Sequence, residues 1–158
     1  MIRPLFHPAD RPAVAAFLDE AADYWLLADG APPGPQAADD FFTDCPPGCD
    51  PAASHRLGIF RDGRLSGLAE LSFGFPEPAD AYLGLMILAP RIRGLGHGAR
   101  LLAHVERLAR EAHAPVLYLG VIEANPRGRA FWERQGFRPT GITRQDDRNI
   151  THRLAKPL

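Results

Sequence analysis

The sequence predicts a single α/β domain in which an antiparallel meander of three strands leads into one strand–loop–helix–strand crossover. Three observations predict it. Short apolar runs at Arg56–Phe60, Leu65–Phe73 and Ala81–Leu88 are separated by turn-forming residues, with Asp62-Gly63 between the first two. An amphipathic stretch follows, with Leu101, Leu102, Val105, Leu108, Ala109 and Ala112 on one stripe. Another apolar run, Val116–Ile122, closes the unit after Pro115. A chain of 158 residues, 46% apolar and 23% charged, fits one domain over residues 1–158 and excludes wholesale disorder and fibrous repeats.

The elements follow in order. A helix is expected from Asp10, which can cap free amides, with Pro12 in the first turn and Val14, Phe17, Leu18, Ala21 and Trp25 at helical spacing. Asp29 to Pro35 breaks this pattern, and a second short helix over Gln36 to Asp44 brings Phe41 and Phe42 together. Residues 1–54 thus form a helical region, 55–140 the core and 141–158 one or two final strands. The run Ala81–Leu88 is almost continuously apolar and reads as buried on both faces. On the long helix, Arg100, Glu106, Arg107, Arg110 and Glu111 fall mostly opposite the apolar stripe. Asn125 and Pro126 open a last helix through Phe131 and Trp132 to Arg134, ended by Gly136.

Charge is unevenly divided. Residues 1–79 hold 5 Arg against 12 Asp and Glu, a net −7, whereas residues 80–158 hold 12 Arg and 1 Lys against 7 acids, a net +6. The basic half suits either a polyanionic ligand or a solvated arginine surface, and the near-neutral total disfavours whole-domain nucleic-acid binding. No apolar run is long enough for a membrane span and the first residues lack a signal-peptide core, which leads to an expectation of a cytoplasmic protein with no membrane partner. Cys45 and Cys49 flank Pro46-Pro47-Gly48; two cysteines cannot close a zinc site, and they read as reduced loop thiols with no metal.

The chemistry concentrates after the third strand. Gly94, Gly96 and Gly98 lie between a strand and a helix, where free amides and the positive end of the helix dipole converge, with Arg91 and Arg93 beside them. Such a loop takes either a dinucleotide or another diphosphate. Gly94-x-Gly96-x-x-Ala99 satisfies the dinucleotide spelling formally, but the acidic strand end expected about 20 residues on is absent, Glu123 lying 29 residues after Gly94.

Arg93, Gly96 and Gly98 together resemble the R-x-x-G-x-G/A signature of the GNAT superfamily of acyl-CoA-dependent N-acyltransferases. Asn125-Pro126, Ala130-Phe131-Trp132-Glu133 and Gly136-Phe137 resemble that superfamily's second segment, so the likeness covers residues 80–140. It implies a strongly twisted mixed sheet flanked by helices, an antiparallel meander followed by a parallel, splayed pair ending at Leu88 and Ile122. Acetyl-CoA is the implied co-substrate, its arm held by backbone groups of Met86, Ile87 and Leu88. The implied diphosphate site is built from the amides of Arg93, Gly94, Leu95, Gly96, His97, Gly98 and Ala99. Asn125 would lie beside the arm, Trp132 would pack along it, and transfer to an amine would be direct.

One position departs from the pattern. Trp132 stands where the superfamily often carries the tyrosine that protonates the leaving thiolate, and an indole cannot donate that proton. Tyr118 is the candidate donor, with Tyr82 and water as alternatives; each tyrosine also reads as a structural strand residue. Glu70 is the candidate base, with Glu123 second, although Glu70 alternating with Leu68 and Ser72 also fits a solvated sheet face. The acids of the first half, among them Asp19, Asp23, Asp29, Asp39 and Asp40 around Tyr24 and Trp25, suit a small, cationic primary amine as acceptor and equally suit solvated helix faces. Three functional classes remain open: an N-acetyltransferase, a non-catalytic acyl-CoA sensor, and an NAD-dependent oxidoreductase. A homodimer that exchanges its final strands is also open.

Overall fold

A computed structural model describes residues 1–158. Seven strands form one mixed sheet: β1 (Ile2–Pro4), β2 (His55–Arg61), β3 (Arg64–Phe73), β4 (Ala81–Leu88), β5 (Val116–Ile122), β6 (Arg138–Gln145) and β7 (Ile150–Pro157), in the order β1-β2-β3-β4-β5-β7-β6. Five α-helices complete the fold, α1 (Arg11–Glu20), α2 (Ala22–Asp29), α3 (Ala37–Thr43), α4 (His97–Glu111) and α5 (Pro126–Arg134). No helix is long and apolar enough to cross a membrane.

The meander forms as its turns dictate. Asp62 and Gly63 both take positive φ, +52° and +73°, the backbone that a tight two-residue hairpin demands. The only parallel pairing is β4 with β5, and it covers just Ala81–Leu117, Tyr82–Tyr118 and Leu83–Leu119. Beyond that point the two strands diverge. The cause lies one strand over: Glu70 pairs with Leu85 and Leu71 with Leu83, so Gly84 is an extra residue in β4, and such a bulge bends its strand. From Leu85 onward, the β5-facing backbone groups of β4 therefore have no strand partner.

Helix α4 lays Leu101, Leu102, Val105 and Ala109 on the sheet, all fully buried. Glu106 departs from the expected solvent face: it is 7% exposed and ion-paired with Lys156 of β7. The expected first helix is broken. Ala21 leaves helical geometry at φ −96°, ψ 22° between α1 and α2, and it is completely buried there. Asp10 does not cap α1; its carboxylate accepts from the Phe6 amide (2.8 Å) and from both Arg3 guanidinium nitrogens instead. Strand β4 is not buried on both faces, since Gly84 is exposed and Leu85 and Met86 are half-buried at the opening the bulge creates. The tail supplies two strands, with β7 inserted between β5 and β6.

Candidate functional site

Three adjoining features make one site. The first is the loop between β4 and α4. Gly94 and Gly96 adopt φ of +76° and +88°, and a Cβ at either would meet no atom within 4 Å, so their backbones face open space. Gly96 is the N-cap of α4 and provides no side-chain cap, which leaves the amides of His97, Gly98 and Ala99 unsatisfied at the positive end of a 15-residue helix. Gly98 is small for a different reason, packing against the Phe131 ring and Leu88. This arrangement can hold a diphosphate through backbone donors.

The arginines do not flank that space freely. Arg93 donates to both Asp23 oxygens (2.5 and 3.1 Å) and to the Leu88 carbonyl (3.0 Å), and Arg93 in turn holds the Asp23 carboxyl below the usual carboxylate range. Arg91 bonds Glu20 (2.8 Å) and the Leu65 carbonyl (3.1 Å). Both tie the loop to α1, α2 and β3, so the anion affinity of the loop resides in its amides. His97 meets Arg61 at 2.5 Å, and Leu95 is exposed at the loop's apex.

The second feature is the wedge between the diverging strands. It is a small cavity of about 60 Å³, lined by Met86 and Ile87 from β4, Leu119 to Ile122 from β5, and Tyr24, Asn125 and Trp132 above. Asn125 is positioned by its own capping bond, its Oδ1 accepting from the Gly128 amide at 3.0 Å. Trp132 stacks edge-on against Phe131 and Phe137 at 5.0 and 5.6 Å between ring centres, so it is both a wall of the wedge and part of the core.

The third feature is a cavity of about 680 Å³ between α2, α3 and the C-terminal strands. Gly84, Leu85 and Gly120 line both this cavity and the wedge, and so mark where the two meet. Glu70 fills the space a side chain at Gly84 would need, its Oε2 overlapping the position of a Cβ there. The Tyr82 hydroxyl lies 3.1 Å from where a Cβ on Gly120 would be. Two missing side chains thus admit a carboxylate and a phenol to one junction.

Glu70 is 5% exposed, accepts a hydrogen bond from the Ser72 hydroxyl, and lies 4.0 Å from the Arg56 guanidinium. Burial pushes its carboxyl up, against the opposing pull of Ser72, Arg56 and the Gly84 amide. Tyr82 is likewise pushed up by burial, offset in part by Arg153 and Arg144. Tyr118 pairs beside Tyr82 on β5 but lines neither cavity, since it sits in the stretch where β4 and β5 are still joined. Glu123 lies outside as well, 3.3 Å from His152.

Of the acids expected around the acceptor, Asp29 and Asp40 line the cavity, whereas Asp23 holds Arg93 and Asp39 is engaged by Arg11 (2.8 Å) and His7 (3.0 Å). Asp19 is exposed and lines neither cavity. Sequence reasoning missed Arg56, Arg144 and Arg153, all of which line the cavity. An arginine inside the apolar run of β2 was a usable signal for Arg56; the other two stand among polar residues and gave none.

Comparison with known proteins places this geometry. The GNAT acetyltransferase family model matches residues 14–137. An acetyltransferase from Thermus thermophilus superposes with a TM-score of 0.77 at 24% identity, covering 100% of this chain and 96% of that one. A ribosomal-protein-alanine N-acetyltransferase from Brucella melitensis gives 0.74 at 23% identity, covering 100% and 99%. A PaiA N-acetyltransferase from Thermoplasma acidophilum, solved in complex with coenzyme A, gives 0.71 at 17% identity, covering 100% and 98%. The dinucleotide reading of the glycine loop is thereby set aside: with a family model spanning most of its length, this chain belongs to the GNAT family and is an acetyltransferase.

Proposed function

We propose that this protein transfers an acetyl group from acetyl-CoA directly to the primary amine of a small molecule, with Glu70 as base and Tyr82 as proton donor. The observation that carries this reading is the junction at Gly84 and Gly120, where the cavity and the wedge meet beside a buried carboxylate and a buried phenol. The uncapped first turn of α4 suits the diphosphate of coenzyme A, and the unpaired edge of β4 from Leu85 to Ile87 suits the amides of its pantetheine arm. Asn125 and Trp132 bound that arm on the helix side.

The residues divide the work. An amine arrives largely as ammonium, and Glu70, whose carboxyl burial raises above the ordinary carboxylate range, takes its proton. The free amine attacks the thioester carbonyl carbon; the C–N bond forms, the C–S bond breaks, and backbone amides at the bulge steady the oxyanion. Tyr82 then supplies a proton to the departing thiolate, and the second proton, which the nitrogen sheds as the amide forms, restores the phenol. Burial keeps its phenol protonated at neutral pH, the state a donor needs. Tyr82 therefore takes the role that Trp132 cannot perform and that Tyr118, outside both cavities, is badly placed for.

The cavity of about 680 Å³ falls in the range of small-molecule sites, roughly 300–1,000 Å³. A second reading, acetylation of a protein N-terminus, is favoured by the structural likeness to a ribosomal-protein-alanine N-acetyltransferase. Calorimetric titration with acetyl-CoA, with NADH in parallel, followed by thiol release across small amines and alanine-terminated peptides, decides between them. Acetyl-CoA binding with release driven by small amines is the expected result; release driven only by peptides overturns the small-molecule acceptor. Tyr82→Phe lowers kcat by about a hundredfold or more and removes the high-pH fall in rate, while Tyr118→Phe, a neighbouring phenol that lines neither cavity, leaves both intact. Equal effects of the two variants would remove Tyr82 from the donor role.

A further inference from the structure

The acceptor cavity carries opposite charges on opposite walls. Asp29, Asp40 and Asp44 come from the end of α2, from α3 and from the residue just after α3, whereas Arg144 and Arg153 come from β6 and β7. None of these five side chains is ion-paired. The walls are held facing each other by the β6–β7 turn, where Arg148 Nε and Asn149 Nδ2 donate to the Ala28 carbonyl of α2 at 3.2 and 2.7 Å. Arg144 and Thr151 are register partners, and Thr151 and Arg153 are two residues apart on one strand, so all three present to the same face, toward the cavity they line.

A second, independent observation comes from the cavity wall beside Glu70. Arg56 is 7% exposed, and only its Nη1 is satisfied, donating to the Phe41 and Asp44 carbonyls at 2.7 and 2.6 Å. Its Nε and Nη2 are buried without a partner. Buried guanidinium donors left unmet are costly, and Arg56 lines the same cavity as Arg144 and Arg153, adding to the positive charge of its wall. A purely cationic acceptor would answer the aspartates and leave Arg144 and Arg153 without an anionic partner.

We infer that the acceptor is a zwitterion: a small primary amine that carries a carboxylate or phosphate on the same molecule, its oxyanion held by Arg144 and Arg153 and its amine presented to Glu70. This inference rests on the small-molecule reading above and narrows it. Arginine is suited to the task because its planar donors match an oxyanion in pairs, and Arg153 is already oriented by stacking 5.0 Å over the Phe75 ring. The aspartates draw the ammonium end and the arginines the anionic end, which fixes the acceptor's direction in the cavity.

The test uses matched acceptors with the wild-type protein and acetyl-CoA: the proteinogenic amino acids and β-alanine, each against its primary amide, and phosphoethanolamine against ethanolamine. Spermidine and an alanine-terminated peptide complete the panel. Anion-bearing amines are expected to exceed their neutral partners in kcat/KM by about ten- to a hundredfold, and the two series separate carboxylate from phosphate. Arg144→Gln/Arg153→Gln should erase that preference by raising KM for the anion-bearing amines to that of their neutral partners, with acetyl-CoA affinity unchanged. Equal or better turnover of the neutral amines or of spermidine overturns the zwitterion, as does a preference that survives in the double variant. Release with the peptide alone, or with no amine while acetyl-CoA binds, overturns the underlying small-molecule reading and the zwitterion with it.

Discussion

Replacing Glu70 with Gln lowers kcat by about two to four orders of magnitude, the span that a positioned general base contributes, while acetyl-CoA binds as tightly as before. Affinity survives because the carboxylate sits on the acceptor side of Gly84, away from the α4 amides. The pH dependence supplies the sharper signature. Burial raises the Glu70 pKa, and a base must be deprotonated, so kcat/KM in the wild type climbs with pH through a midpoint above the ordinary carboxylate range. In Glu70→Gln that rising limb is absent. The amide keeps the size of the carboxyl and can still accept from the Ser72 hydroxyl, so the fold is preserved. A variant that retained both rate and pH profile would exclude Glu70 as the base. Gly84→Ala is the geometric counterpart, because its methyl would displace the same carboxylate.

Gly96→Glu abolishes acetyl-CoA binding, raising Kd by at least about a hundredfold. Three effects act together. The position holds φ at +88°, where any side chain is strained by roughly 1–3 kcal/mol. The new side chain enters the open space onto which the α4 amides face. Its carboxylate places negative charge against an anionic diphosphate and competes for the same unsatisfied donors. Gly96→Ala separates these contributions: it carries the strain without the charge, and its Kd should rise far less. Thermal unfolding of both variants accompanies the calorimetry, to separate the backbone strain they share from lost binding, since no atom lies within 4 Å of the Cβ position. Unchanged affinity in folded Gly96→Glu would remove the loop from cofactor binding.

Much of this site is legible in the sequence because its parts obey local rules. Asp62-Gly63 makes the first hairpin since two consecutive positive φ values are needed there. Gly94 and Gly96 announce a backbone anion site, and Asn125-Pro126 announces the start of α5, where the expected cap is present at 3.0 Å. The break at Ala21 carries no such mark: no Gly or Pro stands there, and the direction of α2 follows from packing. Asp10 shows the limit from the other side, a good capping residue claimed by Arg3 and the Phe6 amide because β1, too short to read as a strand, lies beside it.

The amino-acid sequence by itself determined the order of elements from the first hairpin to α5, the glycine loop and the family, since these depend on periodicity, turn chemistry and spacing along a few dozen neighbouring residues. Only the tertiary structure decided which groups meet. It tied Arg93 to Asp23, 70 positions away, admitted Glu70 and Tyr82 at two glycines on different strands, and left Tyr118 outside. It also turned the charge imbalance between the two halves into two facing walls of one cavity. The physical reason is that burial, pKa and charge pairing depend on distances in space, and the β5-β7-β6 order brings residues beyond 140 against the first helices, a neighbourhood that no local pattern encodes.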